Sequence, residues 1–448
     1  MSSSAAAPTL PAVHDFPDRL PAMVVKELRQ GLRARFFAEA IAGFHLMLII
    51  AILPMISFAE PREAEGIQRF IWWVFAAVLV LLLPLRGLSA LTAERRANTL
   101  DTLLLTNIRA GRIVWGKWLA IAAQVALIAL SMVPYILMLY SGGGISLPGS
   151  FLTLLRLVIA GFVLAAALVS LSWHDSWLYR AAPGLALAML VMNEYAWPAI
   201  GSLLGHGRVV MDAGAGRMLA ELLGGAAVTV ILLENTARRL SPIGEFHQSL
   251  PRVMAAAAVV GTWIISHPAA NAVMLPVLTL VSLSALVERW PVRQPETGTW
   301  HQFTGLAPGW PHGVLWTGVL WALAVGMLLA ETSPLAAQAL RLAAWLFWGR
   351  LLLFLLPADW AHRSGTLILV AVAFQGLQAA LKLGAELLNA PIAHSLAGMV
   401  PAPFGLIPNT GTTDEFLISA GISAAACAII ALIALTKHHF ARKQETLP

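Results

Sequence analysis

Charged residues are scarce in this chain, and cysteine is almost absent. Asp, Glu, Lys and Arg make up 12% of its 448 residues, whereas an ordinary soluble domain has about 25%. Hydrophobic residues make up 58%, and the mean hydropathy is +0.76. This composition excludes a soluble globular protein. It also excludes a disulfide framework, because Cys427 is the single cysteine, and we interpret it as a small residue inside an apolar run.

Signatures of common catalytic chemistry are missing as well. The chain contains no G-x-x-x-x-G-K-S/T loop, so ATP hydrolysis by that phosphate-binding motif is not expected. It contains neither H-E-x-x-H nor paired C-x-x-C motifs, and the histidines of "WHDSW" (173–177) and "KHHF" (437–440) are interpreted as interfacial, so no metal site is predicted. We therefore expect no enzyme activity and no cofactor in this chain.

Apolar runs dominate the sequence instead. A bilayer core about 30 Å thick needs roughly 20 apolar residues per helix, and runs without alternation argue against a β-barrel. We predict an all-α polytopic membrane protein with about 12 transmembrane helices. The stretch from Val253 to Val287 is too long for one helix, and His267-Pro268 is a candidate for the turn between two. The spans are expected near 37–58, 69–87, 117–140, 151–171, 182–203, 217–235, 252–268, 270–288, 313–330, 336–357, 366–386 and 415–436.

Lysine and arginine are concentrated in every other predicted loop, and this distribution predicts the orientation of the chain in the membrane. Positive residues are retained on the cytoplasmic side, and placing the N-terminus inside leaves few of them outside. Both termini are therefore expected in the cytoplasm of a bacterial-type cell with the chain in its cytoplasmic (inner) membrane. The net charge of +6 is explained by a basic inner face toward anionic lipid, so no nucleic-acid partner is expected. The residues left outside are chiefly Arg62, Arg69, Arg208 and Arg217.

The two ends of the chain are predicted to be cytoplasmic tails, at 1–21 and 437–448. The first has neither a basic n-region nor an apolar h-region, so it is interpreted as disordered and not as a signal peptide. Residues 22–36, "AMVVKELRQGLRARFF", place Val25, Leu28, Leu32 and Phe36 at spacings of three and four. This pattern is typical of an amphipathic helix lying in the membrane interface; a plain basic flank that enforces topology is the alternative.

A polar, basic segment separates the second and third predicted spans, "ERRANTLDTLLLTNIRAGRIVWGK" (94–117). Asn98 or Thr99 can cap a helix, and Asp101 lies in its first turn, where the helix dipole favours an acid. We predict a short amphipathic helix over 98–108, suited to docking on a soluble partner; a helix on the membrane surface or against its own bundle is the alternative. Its apolar stripe is formed by Leu100, Leu103, Leu104 and Ile108.

Residues 22 to about 240 resemble the permease subunit of a type 2 ABC transporter (ABC-2). The resemblance rests on "KELRQGLRARF" before the first span and "LTAERRANTLDTLLLTNIRAGRIVWGKWLA" after the second. It departs from the family at Asn98, where Gly is usual, at Asp101, where Glu is usual, and at Asn107, where Pro is common; Asn visits the left-handed region more readily than most residues. The matching positions are Glu94, Thr99, Leu100, Asp101, Leu103, Leu104, Gly116 and Lys117.

The resemblance implies an organisation and a function. It implies a six-helix membrane unit over 37–240 with a coupling loop at 88–117, whose helix touches a separate ATP-binding subunit that carries ATP and Mg. A transporter of the exporting type is expected, with a homodimer mate or a second permease as a further partner beside the membrane lipids. From Pro251 onward no second copy of the motif occurs, and residues 251–436 are predicted to form a second set of about six spans.

Ionisable residues inside spans are functional candidates because burying them in hydrocarbon is costly. Glu194, flanked by Asn193 and Tyr195, is predicted to lie deepest. It is a candidate for lining a substrate pathway or for pairing with Arg156 across the bundle. A role in holding helices together is the equally compatible alternative.

Two other function classes remain open from the sequence. A secondary transporter without an ATPase partner is expected to have inverted repeats and interrupted helices, and prolines within spans favour it. A membrane-embedded enzyme needs a convergent polar cluster, which Glu194 alone does not supply. The prolines in question are Pro84, Pro134, Pro198 and Pro276.

Overall fold

Every regular element in the part of the chain that the structure describes is a helix, which confirms the all-α prediction there. The structure is a computed structural model that describes residues 22–57, 61–96, 109–141, 146–173, 215–241, 249–265, 268–288, 310–330, 335–353 and 364–388, with five positions between 425 and 436. The helices are α1 (Ala22–Arg33), α2 (Arg35–Ser57), α3 (Pro61–Ala76), α4 (Thr92–Arg96), α5 (Ala110–Ser131), α6 (Val133–Ser141), α7 (Leu147–Leu171), α8 (Ala215–Leu240), α9 (Ser249–Ile265), α10 (Pro268–Leu286), α11 (Trp310–Ala330), α12 (Leu335–Leu353) and α13 (Ser364–Leu388).

The described helices suggest a membrane-integral protein, but they do not confirm about twelve spans. Five stretches are long and apolar enough to cross a bilayer, or six if the bent pair α1 and α2 counts as one. The predicted span at 182–203 lies outside the described residues, and that at 415–436 lies almost entirely outside them. Helices α9 and α10 exist where spans were predicted, with apolar parts of fewer than 18 residues. The five stretches are Phe70–Arg96, Ala110–Ser141, Leu147–Leu171, Met218–Leu240 and His312–Ala330.

The long apolar stretch after Val253 is divided, as the sequence indicates. Helix α9 ends at Ile265 and α10 begins at Pro268. Proline is well tolerated in the first turn of a helix because its missing N–H would be unpaired there anyway. The interpretation of this stretch as two helices is confirmed.

The predicted amphipathic segment before the first span forms a separate helix, α1, bent by 55° from α2. Its buried face differs from the expected one. Met23 and Val24 are buried against α5, whereas Leu32 of the predicted apolar stripe is 40% exposed. Val25 and Leu28 of that stripe are half-buried, so the bundle covers the stripe only in part, and lipid can cover the remainder.

The second span is helical throughout but irregular. A π-helical stretch, Ala77–Leu82, is followed by a 3₁₀ stretch, Pro84–Ser89, with Pro84 at its first position. The span lies against α7 so closely that a Cβ on Gly161 would be 2.6 Å from the carbonyl oxygen of Leu79. Small residues permit such backbone contact between membrane helices. The predicted loop 88–117 is shorter than expected, because the chain is helical up to Arg96 and again from Ala110.

Two large apolar cores are joined by α8. One core lies among α2, the second span and α5 to α7, with Leu48, Phe75 and Leu79 fully buried. The other lies among α8 to α13, and α8 also contributes to a small third core with α5 and α7. The predicted boundary between residues 240 and 251 falls between α8 and α9, but α8 packs extensively on both α7 and α10. The two sets of helices therefore both pack against α8.

Candidate functional site

The residues matched by the resemblance fall partly on the described chain. Glu94 and Lys117 are described, with Gly116 beside Lys117. The remaining coupling residues lie outside the described residues, so their helix and its docking role stay predictions. They are Thr99, Leu100, Asp101, Leu103 and Leu104.

The described residues that flank this segment meet in a buried ionic cluster. The ammonium group of Lys117 on α5 lies 2.9 Å from Oε1 of Glu94 on α4 and 3.1 Å from Oε1 of Glu27 on α1. The Lys117 side chain is only 4% exposed. We call these three residues the Lys117 cluster. It connects the helices on both sides of residues 97–108 to the helix that precedes the first span.

Two carboxylates around one ammonium group make this burial tolerable. Removing an ammonium ion from water costs several kcal/mol unless opposite charges and hydrogen bonds replace the lost hydration. Lys117 has three N–H donors, and both carboxylates stand within hydrogen-bond distance of it. Breaking the cluster at its centre would leave two acids without their shared cation.

Gly116 explains how α1 comes close enough to reach Lys117. A Cβ at this position would lie 2.9 Å from Cγ of Met23, tighter than atoms tolerate. The absence of a side chain lets α1 lie directly on α5, and the next residue then meets Glu27. The Gly-Lys pair on which the resemblance rests therefore has a packing function and an ionic function in this fold.

A second contact fixes the other end of α1. The Arg86 guanidinium, in the 3₁₀ stretch, donates hydrogen bonds to the side-chain oxygen of Gln124 on α5 and to the carbonyl oxygen of Gly31, the latter at 3.5 Å. Gln124 is buried. Because Glu27 and Gly31 are one turn apart on α1, the helix is attached at two successive turns.

The end of the second span is attached to α7. Arg95 donates to the carbonyl oxygen of Trp173 at 2.7 Å, and its guanidinium carbon lies 4.6 Å from the centre of that indole ring. The backbone N–H of Leu91 donates to the hydroxyl of Ser172 at 3.2 Å. Helix α5 is attached similarly, because the Trp115 indole donates to Glu234 on α8 at 3.0 Å.

Neither family models, nor curated proteins, nor solved structures give a match to this chain.

Lys117 does not belong to a nucleotide-binding loop, although Gly111 to Lys117 fit the first seven positions of that motif. Trp118 stands where Ser or Thr is required. All of these residues lie inside α5, and the Lys117 ammonium is already held by two carboxylates. The arrangement offers a phosphate neither a loop of backbone N–H groups nor a free lysine. Among the described residues, no three or more His, Cys, Asp or Glu side chains are grouped so as to hold a metal ion.

Arg156 pairs with an acid that the sequence analysis did not connect with it. Its Nε donates to Oε2 of Glu221 on α8 at 2.7 Å, and the Arg156 side chain is 5% exposed. This pair joins α7 to α8 inside the apolar bundle. Asn193 and Glu194 lie outside the described residues, so their place on a substrate pathway stays a prediction.

Sequence analysis missed a second ionic cluster, formed where α8, α9 and α10 meet. Glu288 accepts a hydrogen bond from Arg252 at 2.6 Å and a longer one from Arg238 at 3.4 Å. We call these three residues the Glu288 cluster. Arg252 near the start of α9 and Glu288 just after α10 both carry the sign that the helix dipole disfavours there, and their pairing offsets this. Their positions at the ends of apolar helices were the only signal in the sequence.

His45, inside α2, is a further ionisable residue that the sequence analysis did not single out. Its Nδ1 donates to the carbonyl oxygen of Ile41 at 2.9 Å. The ring lies edge-on to Phe44 and Tyr135, with centroid separations of 5.2 and 5.7 Å. These contacts place His45 among aromatic side chains at the contact between α2 and α6.

Proposed function

We propose that this chain is the membrane-spanning permease subunit of an ABC-2-type exporter. A separate ATP-binding subunit docks on the segment near 98–108 and supplies ATP and Mg, while the permease carries out no covalent chemistry. The chain lies in a bacterial-type inner membrane with both termini in the cytoplasm, and it works with a second permease, either another copy or a related chain. The Lys117 cluster is the observation that carries this proposal.

The cluster supports the proposal because of where its members stand in the chain. Glu94 lies three residues before the undescribed segment 97–108, and Lys117 lies in the helix that follows it. A partner that displaces this segment acts first on α4 and α5. Their ionic bond makes the two helices respond together, and Glu27 transfers the movement to α1.

Further contacts extend this connection into the membrane. Arg95 and Leu91 attach the second span to α7, and Trp115 attaches α5 to Glu234 on α8. A displacement of the docking segment is thereby shared among the second span, α5, α7 and α8. Packed helices transmit movement as nearly rigid bodies, which is what coupling to a nucleotide cycle requires.

The experiment is a comparison of two docking-segment variants in proteoliposomes that contain the copurified ATP-binding subunit. Charge reversal at Asp101 combined with Leu104→Asp should uncouple ATP hydrolysis from transport while leaving the thermal stability of the permease unchanged. Asp101→Glu, which restores the family's residue, is the matched control and should keep coupling. Intact coupling in the double variant, or failure of any ATP-binding subunit to copurify, contradicts the proposal.

A secondary transporter is the second candidate, and one observation favours it. The π-helical and 3₁₀ stretches interrupt the second span, and Pro276 lies inside α10, while discontinuous helices are common in secondary transporters. The same proteoliposomes separate the candidates. Transport driven by an ion gradient without nucleotide identifies a secondary transporter, whereas dependence on ATP identifies the ABC-2 permease.

A further inference from the structure

A cavity of about 160 Å³ lies between α8 and α9, with Met274 of α10 at one side. The α8 residues that line it belong to the apolar stretch Met218–Leu240, and the α9 residues belong to the apolar part of that helix. Close contact of small residues is usual between membrane helices, but here the two helices leave a cavity that opens to the surface of the bundle. None of the contacts described above uses this cavity.

The lining determines the chemistry of the occupant. Thr262 is its one polar side chain among the described lining residues. The Thr262 hydroxyl already donates to the carbonyl oxygen of Val259 at 2.7 Å, and it lies 3.4 Å from the sulfur of Met274. Among the described lining residues no side-chain N–H or O–H is left to donate to a polar ligand, and apolar cavities of this size stay free of water. This lining suits a hydrocarbon group.

Two glycines beside this region differ in the space around them. A Cβ at Gly261 on the α9 wall would meet no atom within 4 Å. A Cβ at Gly225, on the face of α8 toward α7, would lie 2.6 Å from Cγ2 of Ile159. The same helix is therefore tightly packed on one side and open on the other.

The surface around the cavity identifies the source of the hydrocarbon. Leu223 belongs to the lining and is 54% exposed, and Ala257 of the lining is exposed as well. Large apolar side chains beside them on α9, Val260 and Ile264, are also exposed. A surface of this kind at the depth of a bilayer is covered by lipid tails.

We propose that this cavity is a binding site for one acyl chain of a membrane phospholipid. Its volume is close to the roughly 150 Å³ of engineered apolar cavities that bind benzene, so it holds several methylene groups of a chain whose remainder lies along Leu223. The site is independent of the proposed transport function. Failure of one proposal leaves the other intact, because lipid retention is measured without an ATPase or a substrate.

The test fills the cavity with Gly261→Leu. Gly318→Leu is the matched control, because a Cβ at Gly318 also meets no atom within 4 Å but lies on α11, away from the cavity. Each protein is delipidated, incubated with vesicles of palmitoyl-oleoyl phosphatidylethanolamine and phosphatidylglycerol, and analysed by native mass spectrometry. Wild type and G318L should retain one tightly held phospholipid, and G261L should retain it about tenfold less, as expected when about two buried methylene groups are displaced.

Other occupants give different results. If G261L keeps the wild-type phospholipid and the motionally restricted signal of a phospholipid spin-labelled near its chain terminus, the proposal is overturned. If G261L is destabilised while its lipid complement is unchanged, another segment of this chain fills the cavity, and the proposal is overturned again. Gly224→Leu on the opposite wall repeats the test should G261L fail to fold.

Discussion

The Lys117 cluster and the Glu288 cluster are built with opposite charges. The first places one cation between two acids and is net −1 when all three are ionised, whereas the second places one acid between two cations and is net +1. Each connects three helices, and each lies on the predicted cytoplasmic side. They differ in where burial is greatest.

In the Lys117 cluster the shared residue alone is deeply buried. Lys117 is 4% exposed, and its partners Glu27 and Glu94 are 20% and 13% exposed. In the Glu288 cluster a complete pair is buried, with Glu288 and Arg252 at 4% and 3%, and Arg238 is a more exposed addition. The first cluster thus depends on one central residue, while the second is a buried pair with an accessory cation.

The largest effect is expected from removing the centre of the Lys117 cluster. Lys117→Met leaves the partly buried carboxylates of Glu27 and Glu94 without their shared cation, and we expect it to destabilise the protein by about 3–5 kcal/mol. Lys117→Arg keeps the charge and should lose clearly less. Unfolding in mixed detergent–SDS micelles measures both variants. Wild-type stability of Lys117→Met would show that the cluster contributes little.

Removing the centre of the Glu288 cluster should have the next largest effect. Glu288→Leu leaves Arg252 buried without this carboxylate and should cost about 3 kcal/mol, less than Lys117→Met because long arginine side chains can reach toward water. Adding Arg252→Met should restore part of the loss, since an apolar pair replaces a buried ion pair well. The same unfolding assay compares the single and double variants, and a double variant less stable than Glu288→Leu argues against a buried pair.

A smaller effect is expected from removing either acid around Lys117. Glu27→Gln and Glu94→Gln should each cost about 1–2 kcal/mol, because one carboxylate still holds the ammonium group. The double variant should lose more than the sum, since Lys117 is then buried without either of these two carboxylates. A double-mutant cycle measures this difference. Additive losses would mean that the two acids act independently.

The smallest effect is expected from Arg238→Gln. Its contact with Glu288 is long, at 3.4 Å, and the side chain is 19% exposed, so the loss should be below about 1 kcal/mol and should shrink further in high salt. Unfolding at low and high ionic strength measures it. A loss as large as that of Glu288→Leu would contradict the description of Arg238 as an accessory cation.

Some charged residues of the site could be predicted from the sequence, and others could not. The resemblance drew attention to Glu94 and Lys117, but the predicted ends of their spans, at 87 and 117, fall short of the helices, which reach Arg96 and begin again at Ala110. Glu27 was overlooked because it is 90 residues from Lys117 in the chain and looks like an ordinary polar residue of an amphipathic helix. Arg156 was identified as an intramembrane cation, but its acid, Glu221, is 65 residues away on another helix.

The sequence by itself determined that this chain is helical, rich in bilayer-length apolar runs and broken at Pro268, because each of these properties depends on a local window of about 20 residues. Only the tertiary structure decided which charges meet, which faces of α1 and α8 are buried, and where a cavity remains. Those outcomes depend on the rotation and separation of helices that are distant in sequence. No local pattern specifies these relations.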